Sequence, residues 1–195
     1  MTENDEYTQR LLTLSESRWK HRLGVQAPYR WNLRRLHPGR VLDIGCGLGR
    51  NLRHLGGAGV GVDHNESSVA VARSAGLTAL TPDGFFASEF AVKQSFDALL
   101  VAHVLEHLSS SQARELLSTY LPYVRPRGMV IVITPQEKGY ATDDTHQRFV
   151  DAETARRDLR NVGVAIERDY SFPFPRFAGR WFPYNEFVVI GRLPG

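Results

Sequence analysis

Two stretches of the chain are apolar almost without a break: 96–102 (Phe-Asp-Ala-Leu-Leu-Val-Ala) and 128–134 (Gly-Met-Val-Ile-Val-Ile-Thr). Such runs are what strands covered on both faces require, since neither side of the strand meets water. Shorter runs at 41–44, 58–63, 77–80, 164–169 and 186–192 read as further strands. Helices fit between them. Gly49 precedes one at 50–55 that Gly56-Gly57 closes; Asn65 caps one over 67–75 that Gly76 ends. Ser109 to Ser111 begin another, running to about Tyr123, and Asp151 caps the last, which ends near Gly163. Alternating strands and helices give an α/β fold, a parallel sheet with right-handed crossovers whose last strand pair can run as a hairpin.

The ends of the chain differ from this pattern. Over 1–39, Tyr7, Leu11, Leu12, Leu14 and Trp19 recur at roughly helical spacing, and Tyr29, Trp31, Leu33 and Leu36 follow Pro28. One or two amphipathic helices packed on the sheet edge are expected here, forming a cap or lid ahead of a domain at 40–195. Near the other end, 170–184 is crowded with aromatic residues and prolines. The prolines exclude a helix, which predicts an ordered loop between the last two strands.

The candidate chemistry begins where the first strand meets its helix, at Asp43-Ile44-Gly45-Cys46-Gly47-Leu48-Gly49. Glycines at alternate positions allow a sharp turn and let a ligand lie against bare backbone. A dinucleotide site needs Gly-x-Gly-x-x-Gly and presents a helix N-terminus to a pyrophosphate. Here Arg50 stands where the last of those glycines would fall. Asp43 at the strand tip would repel a pyrophosphate and attract a ligand carrying an ammonium and a sulfonium. Asp63 closes the second strand, and a carboxylate there can accept both hydroxyls of a ribose.

Strand, acid and three glycines together resemble the S-adenosylmethionine (SAM) motif of class I methyltransferases. The resemblance covers about 40–195. It implies a seven-stranded, mostly parallel, doubly wound sheet of the Rossmann-like methyltransferase type, with the last strand antiparallel. It implies SAM held by Asp43, Gly45, Cys46, Gly47 and Gly49, with Asp63 and the adjacent His64 at the ribose. Asp83 and Gly84 fall in the slot that meets adenine, where Phe85 or Phe86 would stack on the ring or fill core. His103 falls where the family's chain passes SAM by its backbone.

Methyl transfer from a sulfonium is a displacement whose main demand is an acceptor held in line, and a hydroxyl acceptor gains from a base. Candidate bases are His103, His107 and His146, of which His146 and His107 are preferred. Some metal-dependent O-methyltransferases, acting on ubiquinone precursors and on the 3′ end of small RNAs, carry Glu-x-x-Glu-His at the segment that here reads His103-Val104-Leu105-Glu106-His107. The RNA enzymes add a His beyond the fifth strand, as His146 is here. Glu106, His107 and His146 are therefore candidate metal ligands, but His103 replaces a hard carboxylate, and Glu106 and His107 equally suit capping of a helix start. A divalent metal there is the less favoured reading. Cys46, between the glycines, reads as a small packing residue rather than a nucleophile.

The chain has 195 residues, 42% of them hydrophobic and 23% charged, which suits one soluble domain. No run approaches the ~20 apolar residues of a membrane span. The acidic start, Met1-Thr2-Glu3-Asn4-Asp5-Glu6, is not a secretory signal, and a single cysteine forms no internal disulfide, so the cytoplasm is expected. The net charge of +3 comes from scattered arginines, the densest group being Arg30, Arg34, Arg35 and Arg40. Nucleic-acid binders concentrate charge on one face, which argues against such a partner. The sequence thus reads as a methyltransferase for a small-molecule acceptor, at oxygen. A non-catalytic SAM-binding subunit and a nucleotide-dependent oxidoreductase are the rival readings. Oligomeric state leaves no signal.

Overall fold

The computed structural model describes residues 26–195, so the helices expected around Tyr7 to Trp19 lie outside the described residues. The strands are β1 Val41–Ile44, β2 Gly59–Val62, β3 Ala79–Leu80, β4 Phe96–Ala102, β5 Val124–Pro135, β6 Ala165–Phe172 and β7 Glu186–Arg192. They form one sheet in the order β3-β2-β1-β4-β5-β7-β6. Neighbours from β3 to β5 are parallel, and β7 lies antiparallel between β5 and β6. Chain order reverses between β1 and β4, which opens a crevice at the carboxyl ends of those strands.

Alternation along the strands assigns the two faces. Val41, Ala98, Leu100 and Ala102 meet Leu33 and Leu36 beside helix α1 (Ala27–Arg34). Gly61 and Ala79 share that face. They are covered by Leu52 of α2 (Arg50–His54) and by Val69 and Ala72 of α3 (Glu66–Ser74). On the other face Leu42, Ile44, Leu99 and Val101 pack with Phe85 of α4 (Pro82–Phe86), Leu117 of α5 (Ser110–Tyr120) and Leu159 beyond β5. A short α6 (Glu137–Tyr140) follows β5, and α7 (Ala152–Asn161) carries Leu159. Caps stand where the polar residues predicted them: Asn65, Ser109 with Gln112, and Asp151 each accept from the first turn of their helix.

Two expectations need correction. Helix α1 packs on the face of the sheet and not on its edge: Leu33 and Leu36 are buried over β1, β4, β5 and β7. An amphipathic stripe fixes which side of a helix is buried, but not which surface it covers. The proline-rich loop also holds a 3-10 helix at Arg176–Arg180, just after Pro175. Proline bars the interior of a long helix, yet it tolerates one short turn starting beside it.

A buried amide knot ties this loop to the sheet. Asn185 donates to Gln136 Oε1 (2.9 Å) and Ser171 Oγ (3.0 Å), and its Oδ1 accepts from Phe174 N–H (2.9 Å). It fixes the ends of β5 and β6 and the start of β7 relative to one another, which positions the next residue, Glu186. Asn185→Ala leaves Gln136 Oε1 and the Phe174 N–H without this partner, while Ser171 Oγ keeps Gln136 Nε2, and is expected to cost roughly 1–3 kcal/mol. A urea midpoint lowered at constant slope would show it; an unchanged midpoint would remove the knot from the stability account.

Candidate functional site

The turn after β1 is built as its glycines require. Gly45, Gly47 and Gly49 have φ of 72°, 51° and 75°, in the left-handed region that other residues enter sparingly. A Cβ on Gly45 would sit 2.2 Å from Val104 Cγ2, so the loop after β4 packs directly on this turn. Cys46 is buried against Gly61, and burial followed by the nearby Asp43 and Asp63 pushes its thiol well above its usual range. It packs and does not react.

Asp43 is the most exacting residue of the site. It is fully buried in β1, and neither carboxylate oxygen has a hydrogen-bond partner. Burial raises its pKa to about 7, against the pull of Arg50 and with a push from Asp63, while the nearby Asn51 side chain lowers it slightly. A carboxylate held in this state is what a cationic ligand group would complete. Asp63, just beyond β2, accepts from Gly47 N–H (2.7 Å) and Asn65 N–H (2.9 Å). It therefore holds the glycine turn against the next helix, and each oxygen keeps a lone pair for a ligand hydroxyl. The His64 side chain is 83% exposed, 3.7 Å from Asp63.

After β3, Thr81 caps α4 by accepting from Gly84 N–H, and Asp83 stands exposed in its first turn. Phe85 is core, packed among Phe96, Tyr120 and Tyr123. Phe86 is 44% exposed and stacks on Tyr120, with ring centroids 5.7 Å apart.

At the end of β4, His103 takes φ 58° and donates its N–H to Ile133 O. Its Nε2 lies 2.9 Å from Glu186 Oε1 and its Nδ1 3.4 Å from Glu106 Oε1. Burial opposes its charge, but the bonds to Glu106 and Glu186 prevail and raise its pKa to about 9. With a carboxylate facing each ring nitrogen, the charged form is favoured and neither nitrogen is free to serve as a base.

His107 and His146 come together although 39 positions separate them in sequence. Their ring centroids are 4.7 Å apart. His146 Nδ1 lies 2.7 Å from Tyr140 O, which accepts only, so Nδ1 carries the proton and Nε2 the lone pair. His107 Nδ1 lies 3.1 Å from Thr145 Oγ1, whose own hydroxyl donates to Asp143 Oδ1. His107 is therefore the same tautomer. Glu106 accepts Gln147 and Arg148 N–H on its backbone carbonyl, which fastens the His146 segment to the 3-10 turn Leu105–His107.

Sequence reasoning missed part of the rim. Tyr29 and Asn32 of α1, Asn51 of α2 and Glu186 of β7 line a cleft with Arg50, Ala102, His103 and Ile133. Only Asn32 left a signal, as a polar residue on the buried stripe of α1; it accepts from Tyr170 OH at 2.8 Å. Tyr29 donates to Tyr184 O, and burial and then Glu186 hold its proton firmly.

A sheet whose order reverses beside a glycine turn, with acids at β1 and β2, defines a class I, Rossmann-like, SAM-dependent methyltransferase. The chain belongs to the methyltransferase-domain family, which matches it over residues 13–181. That membership sets aside the oxidoreductase reading. Among curated proteins none matches. Similar folds include a SAM-dependent methyltransferase from Archaeoglobus fulgidus (20% identity, TM-score 0.67, covering 84% of this chain and 92% of that one). A TehB-like SAM-dependent methyltransferase from Corynebacterium glutamicum aligns over 98% of both chains (16%, TM-score 0.65). Magnesium protoporphyrin IX methyltransferase from Synechocystis, solved with bound SAM, aligns over 99% of this chain and 98% of that one (14%, TM-score 0.60).

SAM is the cofactor, and the residues present fit it: an orphaned buried carboxylate, a glycine turn and a second acid with lone pairs to spare. Asp43 supplies a test with a definite sign. Its folded pKa lies above its unfolded value, so deprotonation destabilises the ligand-free protein as pH rises from about 4 to about 7. Asp43→Asn is expected to raise the ligand-free melting temperature at pH 8, with the gain shrinking toward pH 5, and to abolish SAM binding. A scan at the two pH values checks this; a variant less stable at pH 8 would contradict the buried-charge account.

Proposed function

We propose that this methyltransferase acts on a hydroxyl oxygen of a small molecule, with His146 and His107 as the catalytic pair. The observation that carries the reading is that both imidazoles hold Nδ1–H on an oxygen, which leaves the lone pair on Nε2. A lone pair so fixed can take a hydroxyl's hydrogen bond and then its proton. SAM, when bound, supplies an electrophilic methyl group on a sulfonium. Asp43 attracts the donor's positive charge, Asp63 accepts from its ribose, and Asp83 with Gly84 borders its base. His103 contributes backbone, while its imidazolium is balanced by Glu106 and Glu186.

Of the cap expected over residues 1–39, the described part, residues 26–39, stands over the acceptor side. Tyr29 and Asn32 lining the cleft support this, as does the bond from Tyr29 to the aromatic loop. That loop exposes Phe174, Phe177, Trp181 and Tyr184, a surface suited to an apolar or ring-shaped acceptor. Among the described residues no helix is long and apolar enough to cross a membrane. The buried free thiol of Cys46 suits a reducing compartment, and we place the protein in the cytoplasm.

Labelled methyl transfer over a panel of phenols, alcohols, amines and thiols tests the acceptor atom; products methylated only at nitrogen or carbon would overturn it. Asp63→Ala is expected to weaken SAM binding by about 2–4 kcal/mol, through lost charged hydrogen bonds. Calorimetry reads this, and unchanged affinity would reduce Asp63 to a turn residue. His146→Ala is expected to lower kcat by roughly a hundredfold with SAM affinity nearly unchanged. The opposite split would move His146 into the donor site.

A further inference from the structure

We propose that helix α1 and the aromatic loop together dock this protein onto an anionic lipid surface, from which an apolar acceptor enters the crevice. Five of the seven large apolar side chains that stand exposed among the described residues belong to these two segments: Trp31 on α1, and Phe174, Phe177, Trp181 and Tyr184 on the loop. Phe177 and Trp181 are 66% and 70% exposed, in the 3-10 turn Arg176–Arg180 and directly after it. The charge is as one-sided as the apolarity. Residues 26–37 contain Arg30, Arg34 and Arg35, residues 171–185 contain Arg176 and Arg180, and neither stretch has an aspartate or glutamate. Among the described residues only Arg176 of these five pairs with a carboxylate, that of Glu137. Glu186, the first acid after the loop, is turned to His103. The two segments adjoin. Tyr29 of α1 donates to Tyr184 O at 2.7 Å, and the Arg35 guanidinium lies 4.6 Å from the Trp31 ring and 5.0 Å from that of Tyr170, where β6 leads into the loop. Folding thus gathers arginines that look scattered along the chain.

Rings of this kind suit the boundary between headgroups and acyl chains, where the apolar body is covered and the polar edge stays wet. Guanidinium groups beside them add attraction to anionic headgroups, which fades within a Debye length. A second copy of the chain is a poorer occupant, because a two-fold contact would set these arginines against one another. Single-stranded nucleic acid needs ring faces open for stacking. Here Arg35 lies over the Trp31 ring, and Phe182 meets Phe174 and Tyr184 edge to face, with centroids 5.2 and 5.6 Å apart. A bilayer needs no flat platform. It also concentrates what the crevice is proposed to take, and Tyr29, which lines the cleft, is bonded to the loop. The docking surface rests on exposure and charge; only its purpose rests on the small apolar acceptor proposed above.

Co-sedimentation of the full chain with vesicles tests this, using phosphatidylcholine alone and phosphatidylcholine with about 30% phosphatidylglycerol. The expected result is binding to the anionic vesicles roughly tenfold tighter than to the neutral ones, and weakened by about 0.5 M salt. Arg30→Gln and Arg180→Gln, both at exposed positions, are each expected to weaken it roughly fivefold. Phe177→Ser combined with Trp181→Ser is expected to weaken it roughly tenfold or more. Arg114→Gln, exposed on α5 across the sheet, is expected to leave it unchanged. Circular dichroism confirms that each variant is folded, and the arginine variants carry the test if the aromatic one is not. Absence of binding to anionic vesicles overturns the surface; retention of single-stranded RNA, or a loop-dependent dimer, in that protein would give the face to another occupant. Binding that Arg114→Gln weakens as much as Arg30→Gln is net charge alone and overturns it too, as does binding that the folded aromatic variant keeps in full. Vesicle binding with no apolar hydroxyl methylated would leave the surface standing and defeat the acceptor reading; methylation of such a hydroxyl by protein that ignores vesicles would do the reverse.

Discussion

A carboxylate sealed inside the sheet without a close hydrogen-bond partner is the constraint around which this molecule is arranged. Asp43 lies on β1, which lies between β2 and β4, and the sheet order reverses there. The raised pKa reflects the free energy of keeping a charge in that place, at about 1.4 kcal/mol per unit. Such a site is less stable empty than filled. The left-handed glycines, the placement of Asp63 against Gly47 and the nearness of Arg50 all shape the space around that one charge. On the role proposed for Asp43, fold stability and donor recognition are opposed at a single residue, the usual relation between a functional site and the scaffold that carries it.

The rest of the rim repeats the theme with a different balance. His103 carries positive charge close to where a cationic donor must lie, which would be unfavourable if it stood alone. Glu106 and Glu186 flank it, so the group as a whole does not repel the donor. Glu106 stands at the junction. It lies 3.4 Å from His103 and close to the imidazoles of His107 and His146.

Much of this was legible in the chain because periodicity reports burial directly. β4 and β7 begin and end where their apolar runs do, and Asn65, Ser109 and Asp151 cap their helices. Asp43 and Asp63 were legible as well, since an acid closing an apolar strand next to glycines has few other reasons to be there. Glu186 was not: one carboxylate opening a strand resembles any solvated end, and only tertiary pairing brings it to His103. Nor was the destination of α1, since Leu33 and Leu36 mark a buried side without naming the surface beneath. β5 runs back to Val124, further than its apolar stretch, because Phe96 pairs with Val124 across a register shift that no local pattern encodes. Tautomers lay beyond reach too, for they depend on which oxygen each ring nitrogen meets.

The antiparallel direction of β7 has an evolutionary corollary. Parallel strands reach the crevice at their ends, so whatever follows them is already committed to a crossover helix. β7 arrives from the opposite direction and delivers its first residues there, directly after a loop that answers to no crossover. Phe174 to Tyr184 can consequently change in length and chemistry while the turn at Gly45 to Gly49 stays as it is. One half of the crevice can diversify over the course of descent while the other is held constant, which gives a single donor-binding scaffold a route to new acceptors.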